Sequence, residues 1–348
     1  MGLRQPLTVP SRPVHAGLMR CGPPDGKVKG GGTRFFSSTI MRRINFAAIA
    51  LGALAAPLFI VLSAKADLAQ LNDGAPVTVI KSTGGKITIH SGEPDGLVRV
   101  PGNTPGVQMN RFNVNPQTMG TFCVPRPQAF NPRHGSRTFE QQSGGCTPRA
   151  LPLREGPHGV SITNPGSDLE VGVPNRMELM YVQAGASPVL MERTRGPYII
   201  IGENDVTLRS VAGMGWVQTQ GNVEVRNPQG NIGVVTGAGR IAIWSGPQLE
   251  RAQFFSQSGD IEWTVSGVST GPYRVNLGSG SARIHVCGGF GASIVATSLG
   301  GTVVNMLDPS VANVSFSGPH GLSETVGGGG AQVIVNSREG NITIAPCP

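Results

Sequence analysis

The stretch GNVEVRNPQGNIGVVTGAGRIAI, residues 221–243, admits two incompatible readings, and the choice between them decides the fold. Within it, Val234-Val235-Thr236-Gly237-Ala238-Gly239 has the look of a glycine loop that brings backbone amides to a dinucleotide pyrophosphate at a helix N-terminus. That reading needs a helix after Gly239. The residues that follow, Arg240-Ile241-Ala242-Ile243-Trp244, alternate instead, as a half-buried strand does, and Pro247 comes soon after. No acidic residue closes a second strand some 20 residues on in a βαβ setting. We therefore read the glycines as a tight turn between two short strands of a repeating wall.

The repetition extends well beyond this stretch. The unit Gly-polar-aliphatic-x-aliphatic returns as GNVEV at 221, GNIGV at 230, GRIAI at 239, GDIEW at 259 and GNITI at 340, with looser copies at 280, 291, 301 and 330. Spacings cluster near nine to eleven residues or about twice that. Alternation sends Val223 and Val225, Ile232 and Val234, Ile241 and Ile243 to one face, and Glu224, Gly233 and Ala242 to the other. A five-residue strand cannot bury its apolar face alone, so such units stack on copies of themselves. Weaker copies, including VTVIKSTGGKITIHSG at 77–92 and GVSITN, LEVGV, MELMYV, PYIII and VTLRSV between 159 and 211, carry the pattern upstream.

An all-β chain follows, and the pattern favours a parallel β-helix, or β-solenoid, of short Gly-initiated strands. Glycine precedes each strand at a regular offset, and Asn-Gly hairpin signals are missing between units. The alternative is an antiparallel β-sandwich. Composition agrees with either: 51 Gly, 28 Pro and 14% charged residues in 348 suit short strands and turns and do not suit long helices.

The N-terminus reads as targeting sequence. Met41-Arg42-Arg43 forms a basic start, Phe46 to Ser63 an apolar run, and Ala64-Lys65-Ala66 an A-x-A site, so 41–66 is expected to be a signal peptide and the mature chain to begin at Asp67. An uncleaved anchor is the competing reading of the apolar run. Residues 1–40 are basic and Gly/Pro-rich without apolar periodicity, as expected of a start codon placed too early or an unstructured leader. Nine of the 28 Lys and Arg and one of the 20 Asp and Glu precede Asp67, which leaves nineteen of each. The formal charge of +8 is thus a property of the leader and gives no argument for nucleic-acid binding.

Cys123, Cys146, Cys287 and Cys347 remain after Asp67, an even number that suits an oxidising compartment. Three pairings are open; sequence proximity favours Cys123 with Cys146 and Cys287 with Cys347. No C-x-x-C pair points to zinc. Between residues 103 and 159 the repeat stops in a Pro-, Asn- and Arg-rich interval, expected to be an irregular, disulfide-pinned excursion from a domain spanning 67–348. Its Arg111, Arg126, Arg133 and Arg137, together with Trp244, which falls just beyond an inward pair, are the candidate ligand contacts. Trp263 sits at an inward offset and is expected in the core.

The outward carboxylates Asp260 and Glu262 raise polysaccharide cleavage by paired acids, though outward acids on alternating strands are ordinary. His90, His134, His158, His285 and His320 have no metal-ligand spacing and are expected on the surface or in loops. Gly327–Gly330 lacks the aspartates of a calcium-binding glycine repeat and is expected to be a corner. No cofactor is indicated.

The run from Pro188 to Pro346 resembles the bacterial adhesin domain family whose members repeat G-[DN]-[IV]-x-[IV] along a β-solenoid. The match is to a repeat grammar, so it implies a fold and brings no functional residues; the Cys-bearing interval at 103–159 departs from it. The resulting expectation is an exported, non-enzymatic adhesin-like or envelope-associated protein without a membrane span after cleavage. It would present polar side chains to a polysaccharide or a surface protein. A β-helix polysaccharide-cleaving enzyme and a purely structural envelope component are the alternatives.

Overall fold

A computed structural model describes residues 76–102, 104–119 and 153–348, together with the backbone of strands Leu68–Leu71, Thr121–Pro125 and Cys146–Ala150. The expected signal segment and residues 1–40 lie outside the described residues. Leu62–Pro348 forms one compact unit.

Apolar alternation is realised as a β-solenoid of two facing sheets, of 12 and 13 strands. Two antiparallel strands at one end of the first sheet and three at the ends of the second are caps, so each sheet contributes ten parallel strands. One coil comprises a strand of each sheet. Val189, Val206, Val223, Ile241, Ile261 and Ala282 stand in one column of the first sheet, 17 to 21 residues apart in sequence. GNVEV and GNIGV are therefore facing halves of one coil, in opposite sheets. Antiparallel pairing, the sandwich alternative, is confined among the described residues to the ends and to the hairpin Thr121–Pro125 with Cys146–Ala150.

Inward residues of both sheets form one continuous core that includes Val223, Val225, Ile232, Val234, Ile241 and Ile243. Trp263 is fully buried and donates its indole N–H to Ser245 Oγ at 2.8 Å. Phe254, Tyr273 and Phe290 pack around it with ring centroids 5.1–6.4 Å away, which places the widest aromatic layer here.

The repeat motif is a stacking device. A buried hydroxyl three residues before the glycine accepts that glycine's N–H: Thr236 from Gly239 at 3.1 Å, Ser256 from Gly259 at 2.8 Å and Ser337 from Gly340 at 2.8 Å. Thr236 also donates to Gly221 O on the neighbouring coil at 2.9 Å. The polar residue after the glycine spans coils as well, Asn222 accepting the N–H of Arg240 and Asp260 that of Ser281 at 2.9 and 2.8 Å, and Asp205, at the same corner of an earlier coil but after Asn204, accepts that of Asn222 at 2.8 Å. These bonds satisfy corner amides that no strand ladder reaches.

At Gly239, Gly259 and Gly340 the glycine is required by close approach, a correction to the expectation that it eases the turn, whereas Gly230 meets that expectation with a φ of 84°. A Cβ on Gly239 would lie 1.9 Å from Gly221 O, and Gly239 is not among the residues with positive φ. Positive φ is also used at Gly327–Gly330, the corner expected from sequence. At the opposite corner of the coil, Arg193, Ser210 and Asn227 repeat the left-handed conformation with φ of 55°, 53° and 52°.

Both ends depart from sequential order. The coil made of Val77–Ser82 and Ile87–Glu93 lies between that of Gly156–Asn164 and Leu169–Pro174 and that starting at Leu179. At the other end, the C-terminal strands Ala331–Ser337 and Ile342–Pro346 insert between Tyr273–Val286 and the coil of Ala292–Ser298 and Val303–Asn305. The last coil in sequence is thus not the last in space. Cys287 and Cys347 follow the paired residues Val286 and Pro346, and they form a disulfide with Cα atoms 4.8 Å apart. Cys123 and Cys146 lie on the neighbouring strands of the hairpin, one of whose backbone pairs is Cys146 with Pro125, but their side chains lie outside the described residues.

The interval 103–159 is not irregular throughout. Gln108–Val114 is an antiparallel edge strand on Gly156–Asn164, with Phe112 lying over Gly159, and it closes the second sheet at this end. The far end is closed by the hairpin Ala312–Gly318 with Gly321–Val326, whose Glu324 points into the end of the core. Glu324 Oε2 accepts from Asn305 Nδ2 at 2.6 Å and Oε1 is buried without a partner. Burial raises the pKa of this carboxyl above the usual range, with the Asn305 bond opposing in part. A raised native pKa means that the native state holds the proton more tightly, so stability is greatest below the ordinary Glu value and falls as pH rises. Thermal melts of wild type and Glu324→Gln are expected to diverge with rising pH in favour of the glutamine. A pH-independent difference would count against a buried carboxyl.

Candidate functional site

Strand alternation leaves every second residue outside, and on the outer face of the second sheet one register column reads Ile199, Trp216, Gly233, Gln253, Arg274. Beside it runs Met214, Asn231, Arg251. Where an outer apolar cluster of Val77, Leu179, Ile199 and Trp216 gives way to these polar residues, a groove of about 270 Å³ opens.

Two local features shape it. Gly233 lacks a side chain, so the Trp216 ring lies across it; a Cβ there would meet Cε3 at 2.3 Å. Trp216 is consequently 8% exposed and forms a fixed wall. On the opposite side Arg251, Gln253 and Arg274 are exposed and line the groove. Asn231 Oδ1, also in its lining, is buried without a hydrogen-bond partner. The groove therefore combines an aromatic wall, an acceptor in need of a donor, a side-chain amide and two guanidinium groups, all on strands about 4.8 Å apart. Such a set can orient a hydroxylated or charged ligand.

The residues expected to contact ligand are placed elsewhere. Trp244 is 37% exposed on the first sheet, with Arg226 Cζ 4.9 Å from its ring centroid, so one face is already covered by a guanidinium. Arg111 is exposed on the edge strand Gln108–Val114. Arg126, Arg133 and Arg137 lie outside the described residues. The groove was missed from sequence, although one signal existed: Trp216 and Gly233 take equivalent outward positions in adjacent copies, large against small.

The carboxylates are engaged. Glu262 lies against Arg240 and 3.3 Å from His285; partial burial pulls its pKa up, but the Arg240 guanidinium first, with the His285 contact, outweighs it and holds the carboxyl below the usual range. A general acid needs the opposite shift. Asp260 is spent on the corner amide of Ser281. His158 and His285 are buried, a correction to their expected surface placement, and His158 Nε2 sits 2.9 Å from Glu178. His285 Nδ1 lies 3.2 Å from Pro346 O, on the strand that inserts beside it. His90 is half-buried 2.9 Å from Glu170, and His320 Nδ1 is 2.7 Å from Gly301 O. His134 lies outside the described residues. Among the described residues no His, Cys, Asp and Glu cluster could hold a metal ion, and no helix is long and apolar enough to cross a membrane.

Fold and site together define a two-sheet parallel β-solenoid with a polar groove on one flat face. No family model and no curated protein matches the chain. A solved structure described as a "putative cell adhesion protein" from Clostridium sporogenes ATCC 15579 aligns over 81% of this chain and 99% of its own, at 10% identity and a TM-score of 0.26. A likeness of that depth carries no argument about fold or function.

Proposed function

We propose that this chain is an exported, non-enzymatic binding protein of adhesin type, whose rigid solenoid presents the groove over Gly233 to a glycan. The observation that carries the reading is the groove itself, in which Trp216, Asn231, Gln253 and Arg274 are held on adjacent hydrogen-bonded strands. Fixed strands cut the ordering cost of binding, and an aromatic wall with side-chain amides suits a sugar ring. The disulfide and the leader support export, and the repeat resemblance supports the adhesin type.

The test is retention of the purified protein on immobilised envelope and host polysaccharides, with polymer length followed in the same wells. Retention without shortening is expected, weakened at least ~5-fold by Gln253→Ala, the removal of an exposed contact worth about 1 kcal/mol. Shortening of the polymer would overturn the non-enzymatic reading. Absence of both signals would favour a surface-protein ligand or a purely structural envelope role.

A further inference from the structure

We infer that the groove selects anionic saccharides, with Arg251 and Arg274 as its anion-binding pair and Asn231 Oδ1 as a fixed acceptor for a sugar hydroxyl. This rests on the reading of the groove as a glycan site and names the class of glycan.

Three observations converge. On the first sheet, Arg209, Arg226 and Arg240 each lie against a glutamate, so their charge is neutralised within the protein. Arg251 and Arg274 line the groove and have no carboxylate within ion-pair distance among the described residues. Although exposed, two uncompensated guanidinium groups beside an apolar wall attract an anion more strongly than ones surrounded by water on all sides, because the wall lowers the local dielectric. They also match the fork geometry of a carboxylate or sulfate.

The second observation is Asn231 Oδ1, buried in the groove lining with no donor. A buried carbonyl oxygen left unpaired costs about 1–3 kcal/mol, which a ligand O–H would recover. Third, Gln253 and Arg274 are paired neighbours on adjacent strands, and so are Asn231 and Arg251. Each arginine's strand thus neighbours one that carries a side-chain amide, about 4.8 Å away, so the acid group and the hydroxyls of one saccharide can be met from adjacent strands. A neutral sugar would leave both arginines unused, and a simple anion would leave Asn231 unpaired.

Titration calorimetry with the purified protein tests this using four probes: oligogalacturonate, the same oligomers methyl-esterified, neutral galacto-oligosaccharides, and sulfated galacto-oligosaccharides. Binding of an acidic probe is expected, at least tenfold tighter than its neutral counterpart and weakening with salt, and Arg251→Gln and Arg274→Gln are each expected to lose at least tenfold. Both arginines are exposed, so these variants should melt like wild type. Preference for carboxylated or for sulfated oligomers would identify the source of the charge, either one supporting the inference. Equal affinity for neutral and acidic oligomers would overturn it while leaving the glycan reading intact. Acidic binding untouched by both variants would place the anion site elsewhere and likewise overturn it. No binding to any probe would sink both readings for this groove.

Discussion

Replacing Cys287 and Cys347 by serine is expected to lower the melting temperature by roughly 10 °C, the largest effect of any surface change in this protein. The bridge closes a loop with a sequence separation of 60, and the chain-entropy model assigns a cross-link of that span about 4 kcal/mol. Topology adds to this. The loop contains the coil of Ala292–Ser298 and Val303–Asn305, the capping hairpin and the inserted C-terminal strands, while Tyr273–Leu277 and Ala282–Val286 receive those strands in parallel register. Without the bridge, the C-terminal strands can leave while the preceding coils stay folded, and the edge they uncover is open to another chain. Calorimetry of oxidised and double-serine protein, with light scattering for self-association, provides the check. Equal melting temperatures with free thiols would show that strand pairing alone holds the end.

Gly239→Ala is expected to destabilise by about 3 kcal/mol, whereas Gly237→Ala should stay within about 0.5 kcal/mol of wild type. The new methyl at 239 would meet the Gly221 carbonyl O and C at 1.9 and 2.2 Å, backbone atoms that cannot yield without separating two coils. At 237 the nearest atom is Gln220 Oε1 at 1.9 Å, the end of a flexible side chain that can swing away. Neither position has a positive φ, so backbone strain does not confuse the comparison. Denaturant unfolding of both variants measures the contrast. Similar costs at the two sites would mean that the coils are not stacked in the register seen here. A nucleotide loop would make both glycines matter through ligand affinity and not through coil stacking, so the pair separates the two readings of VVTGAG.

Much of the fold was legible because its determinants are local. Val223, Val225, Ile241 and Ile243 face inward for the reason that strand side chains alternate, and Trp263 falls in the core by the same count. The Cys287–Cys347 pairing followed from proximity in sequence and holds. The role of the repeat glycine was only partly legible: a glycine needed for φ, such as Gly230, and one needed for contact, such as Gly239, look alike in one dimension, and only the neighbouring coil distinguishes them. His158 and His285 were misplaced similarly, since the residues packed against them, Glu178 and Glu262 among them, lie about 20 residues away in sequence.

The site was legible only in its parts. Trp244 drew attention as an outward tryptophan, but Arg226 covers one of its faces, while Trp216 borders a groove that exists because Gly233 lies one coil away. By itself, the amino-acid sequence determined the strand period, the inward residues and the cysteines available to pair, and it favoured parallel coiling over an antiparallel sandwich without settling the choice. The tertiary structure alone decided which coils are neighbours, the exchanged order at both ends, and the meeting of Trp216, Asn231, Gln253, Arg251 and Arg274. The reason is that inward and outward are set by one residue's place in its own strand, whereas lateral neighbours are set by how many residues each coil takes before the next one docks, a quantity that varies from 17 to 21 here and that only packing of the whole stack selects.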